Sequence, residues 1–162
     1  PSVCKVMPDQ LPHLYYILAD IIAVKGKEFM SAYKLREDGR STRLYCNQCW
    51  SLIGVEHPNY KSNVFLIFPK HCEADCDLSV PLTAIVYMID YPDNFEPPPE
   101  DEVPLFYSRK YKQEQIRWSK LSLVAKNFRQ RTKPREGISF TELVASLGTP
   151  KTLDLEKGET VV

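Results

Sequence analysis

The sequence predicts a mainly β, antiparallel domain, and three observations carry the prediction. Short runs rich in Val, Ile, Tyr and Phe fill the first two-thirds of the chain. Turn formers, Lys25-Gly26-Lys27, Glu37-Asp38-Gly39 and Pro69, separate the runs. One run, Phe29 to Leu35, places Phe29, Ser31, Tyr33 and Leu35 on one side, the period-two pattern of a strand.

In chain order, Tyr15 to Val24 is rich in Ile, Tyr and Val and stops at Gly26. Phe29 to Leu35 ends at Asp38-Gly39. Ser41 to Tyr45 leads into a turn holding Cys46-Asn47-Gln48-Cys49, and Ser51 to Val55 leads out of it. Val64 to Phe68 closes at Pro69, and Thr83 to Ile89 is a further apolar run. Asp90 to Pro104 mixes acids with Pro92, Pro97, Pro98, Pro99 and Pro104. Proline removes backbone donors and like charges repel, so this stretch reads as an extended surface segment.

The charge sign then reverses. Between Arg109 and Arg135 ten Lys or Arg residues accompany one acid, Glu114, although the whole chain balances at 21 of each sign. Gln113 to Gln130 has a helical composition, with Leu121, Val124 and Phe128 on one face. Its bland reading is a solvated helix packing that stripe on the β domain. Its sharper one is contact with phosphates or bases, helped by Trp118. The basic residues surround the helix instead of lining one face, which favours packing. Ser139, with Glu142 three positions on, caps a short helix to Leu147, and the residues after Thr149 read as a loose tail.

Bulk properties narrow the classes. A chain of 162 residues can bury a core without disulfides. The longest apolar stretch, Leu14 to Val24, contains Asp20 and falls well short of the roughly 20 residues of a membrane span. Five cysteines without a framework spacing fit reduced thiols, and so a cytoplasmic or nuclear setting. Pro1 in place of Met, with no cationic leader, reads as a fragment or processed product. No Ser-His-Asp set, phosphate loop or paired-carboxylate motif offers a reaction.

The cysteines do. Cys46 and Cys49, two residues apart on one turn, can bite a single zinc ion, and a closed site needs two more ligands. Cys72 and Cys76 could complete a zinc ribbon, although three intervening residues and acidic neighbours fit a solvated loop better. His57 and His71 read as loop residues, and His13 as the edge of the first strand.

The order of features resembles a family. Gly26 precedes the strand bearing Tyr33, followed by the turn of Arg43, Tyr45, Cys46 and Cys49. Ile85-Val86-Tyr87 then leads through Asp90 to Phe95 to Val103-Pro104-Leu105-Phe106. This is similar to the glutathione-dependent formaldehyde-activating enzymes, a family that includes centromere protein V. The resemblance covers residues 1–107 and implies an antiparallel zinc-containing β-tent, with 108–162 as an added basic helical extension and tail. It implies that Cys46 and Cys49 are two ligands of a structural zinc. It also implies that Ser2-Val3-Cys4-Lys5 is the end of a catalytic zinc cluster, with Cys4 as a ligand and the remaining cysteines ahead of Pro1. Both Zn2+ sites are then incomplete within these 162 residues.

The activity implied is carbon–sulfur lyase chemistry, joining glutathione, or another small thiol, to formaldehyde or a related aldehyde as S-(hydroxymethyl)glutathione. The alternative is a non-catalytic, zinc-stabilised binding module whose basic helix meets a protein or nucleic acid. No membrane partner is expected. Two departures stand out: the family has Gly where this chain has Trp50, so a different or distorted turn is expected there, and His71 to Cys76 reads as an insertion.

Overall fold

A computed structural model of the chain describes residues 13–70, 72–86, 88, 96, 99, 101–106 and 131–153. The chain divides into two compact units, residues 1–75 with 128–162, and residues 76–127.

Among its described residues the first unit holds a six-stranded sheet and one short α-helix. Its strands are β1 (Tyr15–Leu18), β2 (Met30–Lys34), β3 (Thr42–Cys46), β4 (Leu52–Glu56), β5 (Val64–Ile67) and β8 (Lys151–Thr152), in the order β1-β5-β4-β3-β2-β8. β2 to β5 fall on the expected runs. Each β-branched or aromatic run became a strand, and each Gly, Asp-Gly or Pro break became a connection. The first run shortened to Tyr15–Leu18, because the chain after Ala19 leaves β5 and makes a bridge between Ile21 and Ile138.

The pairing is antiparallel from β1 to β2, and β8 joins β2 in parallel, so the sheet is mixed and not purely antiparallel. Within the stretch after Thr149, expected to be a loose tail, Lys151–Thr152 is a strand, and residues 154–162 lie outside the described residues. Residues 131–153, the described part of 108–162, supply both this strand and the helix α1 (Phe140–Ser146).

The register explains the core. Ala32 lies opposite Leu44, Leu44 opposite Gly54, Gly54 opposite Ile67, and Ile67 opposite Tyr15. That row shares one face of the sheet. Phe140, Leu143 and Val144 occur at i, i+3 and i+4 of α1, hence on one side of it, and join Ala32, Leu44, Phe65 and Ile67 in one cluster. Phe140 is 1% exposed and its ring lies 4.8 Å from that of Phe65. Burying a side chain of this kind stabilises by about 1.5–3 kcal/mol.

Gly54 is required by this arrangement. A Cβ there would lie 3.0 Å from the Leu66 carbonyl oxygen and 3.1 Å from Phe140 Cε2. A bulge between Leu44 and Tyr45, with Ile53 as the extra residue of β4, shifts the register just before the cysteine turn.

The helix start follows the sequence. The Ser139 hydroxyl accepts from the Glu142 N–H at 3.1 Å, and the Glu142 carboxylate accepts from the Ser139 N–H at 2.7 Å, a complete capping box. The loop ahead of it is fixed to the end of β1. Asp20 accepts from the Arg131 guanidinium and from the Glu136 N–H. Gly137, at φ 81°, lies against the Ile21 carbonyl where any Cβ would collide.

In the second unit β6 (Ile85–Val86) and β7 (Leu105–Phe106) pair in parallel, and Ile85, Met88 and Leu105 form a small core. The basic stretch Gln113 to Gln130, with its Leu121-Val124-Phe128 stripe, lies outside the described residues. So do Cys4, His71 and most of the acidic proline-rich segment. The fold described is mainly β, with a mixed sheet and, among the described residues, one short α-helix. No described helix is long and apolar enough to cross a membrane.

Candidate functional site

Cys46 ends β3 and Cys49 lies on the loop that returns the chain to β4. The loop closes on itself in two bonds, Trp50 N–H to the Cys46 carbonyl and Cys46 N–H to the Ser51 carbonyl, both at 2.9 Å. Such a closure needs a left-handed residue at its end, and Trp50 supplies it at φ 61°. The expectation of a different turn is therefore corrected. The tryptophan takes the conformation that a glycine would take.

The compensation is visible in the packing. The Trp50 ring lies 5.4 Å from the Tyr33 ring and 6.3 Å from that of Tyr45, and Tyr33 and Tyr45 meet edge to face at 5.9 Å. Left-handed backbone costs an ordinary residue roughly 1–2 kcal/mol. Two aromatic contacts at about 0.5–1.5 kcal/mol each offset it.

A second set of bonds ties the turn to the rest of the sheet. Lys27–Phe29 forms a single 3-10 turn ahead of β2. The Asn47 N–H donates to the Phe29 carbonyl at 2.7 Å, and the Asn47 side-chain amide donates to the Glu28 carbonyl at 3.2 Å. The side-chain amide of Gln48 donates in turn to the Asn47 side-chain oxygen at 2.9 Å. The backbone that carries the two cysteines is thus tied down at both ends of the turn.

The sulfurs differ. Cys49 is exposed and Cys46 is partly covered. The Cys49 Sγ lies 3.1 Å from Ser51 Oγ. Hydrogen bonds from the Ser51 hydroxyl, from its backbone and from the Cys46 side chain pull the Cys49 thiol below the ordinary thiol range. Two cysteines on one closed loop, the second of them acid-shifted, suit a soft divalent cation such as zinc, which binds thiolates. They are two of the four ligands that a closed site uses. Sequence reasoning does not single out Ser51 or Asn47; a hydroxyl two residues after the second cysteine is the available signal.

The other candidates sit elsewhere. Cys72 packs against the main core, its thiol directed at the Phe68 carbonyl at 3.5 Å, and burial pushes that thiol up. Cys76 is exposed and belongs to the second unit. Among the described residues no group of three or more His, Cys, Asp and Glu side chains is placed to hold a metal. His57 takes a structural part. Its Nδ1 accepts from the Asn59 N–H at 3.1 Å and caps a 3-10 turn at Pro58–Tyr60. His13 is exposed.

No family model, no curated protein and no solved structure matches the chain.

Proposed function

We propose that the Cys46–Cys49 turn is half of a structural zinc site in a protein of carbon–sulfur chemistry, similar to the enzymes that join glutathione and formaldehyde. One observation carries the zinc reading: the closed loop with a left-handed residue directly after the second cysteine, which holds both sulfurs on one turn. Cys46 and Cys49 would hold the ion, and the other two ligands come from outside the described residues. At this position zinc pins the β3–β4 connection and adds binding energy to folding. The chemistry itself rests on the resemblance alone, with Cys4 as its one residue in this chain. A zinc ion held there, when bound, makes a thiolate available at neutral pH and polarises an aldehyde oxygen.

The test has two readouts. Cobalt(II) added in excess to the reduced 162-residue chain gives weakly held sulfur-to-metal charge-transfer absorption, as two of four ligands should, and zinc displaces it. Cys46→Ser and Cys49→Ser each abolish the absorption. Variants that retain the absorption would overturn the assignment to Cys46 and Cys49, and a stoichiometric, tightly held metal on the 162-residue chain would overturn the half-site reading. NMR of a mixture of glutathione and formaldehyde then reads the reaction. Acceleration of S-(hydroxymethyl)glutathione formation over the uncatalysed rate supports the enzyme. With Cys4 as the one residue of the catalytic cluster in these 162 residues, acceleration is expected of a chain that also carries the upstream cysteines, and metal binding without acceleration by that longer chain leaves a zinc-stabilised binding module.

A further inference from the structure

We propose that Cys49 is a thiolation site for low-molecular-weight disulfides, and that Cys46 resolves the adduct into a Cys46–Cys49 disulfide across the turn. The proposal concerns the metal-free chain and stands on the geometry of the turn, whether or not zinc is its resident ion.

Three observations carry it. The first is reach. The bonds from the Trp50 N–H to the Cys46 carbonyl and from the Cys46 N–H to the Ser51 carbonyl close a short loop that carries both cysteines, and a disulfide bridges Cα atoms about 4.4–6.8 Å apart. The second is asymmetry. Attack on a disulfide needs one sulfur free to meet it in line, and Cys49 is exposed whereas Cys46 is partly covered. The third is rigidity. The bonds from Trp50 to Cys46, from Cys46 to Ser51 and from Asn47 to Phe29 are all made by the backbone, so closing the bridge leaves them intact.

The order of roles is the reverse of that in Cys-x-x-Cys pairs at a helix N-terminus, where the helix end activates the first cysteine. Here the pair sits at a strand end, and the second cysteine faces solvent. In the first step the Cys49 sulfur attacks one sulfur of the small disulfide. The S–S bond breaks, a mixed disulfide forms, and one small thiol leaves with the Cys49 proton. In the second step the Cys46 sulfur attacks Cys49 Sγ, the protein disulfide forms, and the second small thiol leaves with the Cys46 proton. Overall the protein dithiol is oxidised by two electrons and the small disulfide is reduced to two thiols. Cys72, directed at the Phe68 and Ile53 carbonyls, is not presented for either step.

The experiment uses the chain stripped of metal by a chelator, fully reduced, and then mixed with glutathione disulfide. Samples quenched with acid and iodoacetamide over time are digested with trypsin. Residues 44–61 emerge as one peptide, between Arg43 and Lys61, with Cys46 and Cys49 as its cysteines. The expected course is a transient glutathione adduct on Cys49, followed by the same peptide lacking two hydrogens. Cys46→Ser stops at the Cys49 adduct, and Cys49→Ser loses thiolation of this peptide. An adduct appearing first on Cys46, no bridged peptide in the wild type, or unchanged thiolation in Cys49→Ser would overturn the proposal. The wild-type time course decides the order even if a variant folds poorly.

Discussion

Replacing Trp50 separates what its backbone costs from what its ring contributes. The side chain is 42% exposed, so a little over half of it is covered, mainly by Tyr33 and Tyr45. An indole that buries about 150–250 Å² in full buries on the order of 100 Å² here, worth about 2–3 kcal/mol. Trp50→Ala loses that contribution and keeps a left-handed residue, so it is expected to destabilise by about 2–3 kcal/mol. Trp50→Gly loses the same packing but adopts φ near 61° without a Cβ clash. It should therefore be the more stable of the two by about 1 kcal/mol, against the usual preference for Ala over Gly. In a chain of this size that is a Tm difference of about 2–4 °C, readable by urea titration or thermal melts of both variants. Alanine equal to or more stable than glycine would refute the reasoning, because the turn would then place no left-handed demand on position 50.

Gly54→Ala should destabilise by about 1–3 kcal/mol, since the new methyl meets the Leu66 carbonyl in a paired strand and the edge of Phe140; an unchanged urea midpoint would contradict the close packing of α1 on the sheet. Ser139→Ala removes the cap of α1 and should cost about 1 kcal/mol. Glu142 is held below the usual carboxylate range by the Ser139 N–H and hydroxyl, so its contribution exists above the unfolded pKa and is lost as pH falls through the folded one. The acid limb of stability against pH should accordingly be shallower in Ser139→Ala. Burial pushes the Asp20 carboxyl up, but hydrogen bonds from Arg131 and the Glu136 N–H, with the Arg131 and Arg135 charges, outweigh it and hold it low. Asp20→Asn should cost about 1–2 kcal/mol, discounted for partial exposure, with the loss fading as pH drops through the folded Asp20 pKa; a difference that grows in acid would reverse the sign and refute the assignment.

The sequence displays β2, β3, β4 and β5 clearly, because each is a compact β-branched or aromatic run ended by a residue with a definite backbone preference. It displays the start of α1 for a similar reason, as the Ser139-Glu142 spacing is a local hydrogen-bond requirement. What it hides is tertiary. Lys151–Thr152 is two exposed polar residues with no pattern of their own, and they become β8 only because β2 leaves its edge free. The role of Phe140, Leu143 and Val144 is likewise fixed by the row of small and apolar residues from Ala32 through Gly54 that they cover, and no window around α1 contains that row.

The cysteine turn shows the same division at closer range. The spacing of Cys46 and Cys49 is legible because two residues between thiols is a local geometric constraint. Position 50 misleads because local preference argues against a bulky residue at positive φ. That preference is real, and the structure does not abolish it. Tyr33 and Tyr45, distant in sequence from Trp50 or on the far side of the turn, form a platform for the indole, and this outweighs the backbone term. A glycine would make the loop by costing nothing, and the tryptophan makes it by being held. The consequence for chemistry is a stiffer loop, since the residue that closes it is packed on two strands and Asn47 ties it to the turn before β2. Cys46 and Cys49 therefore meet a metal or a small disulfide from a backbone already held, so the ordering entropy of the loop does not have to be lost at that moment.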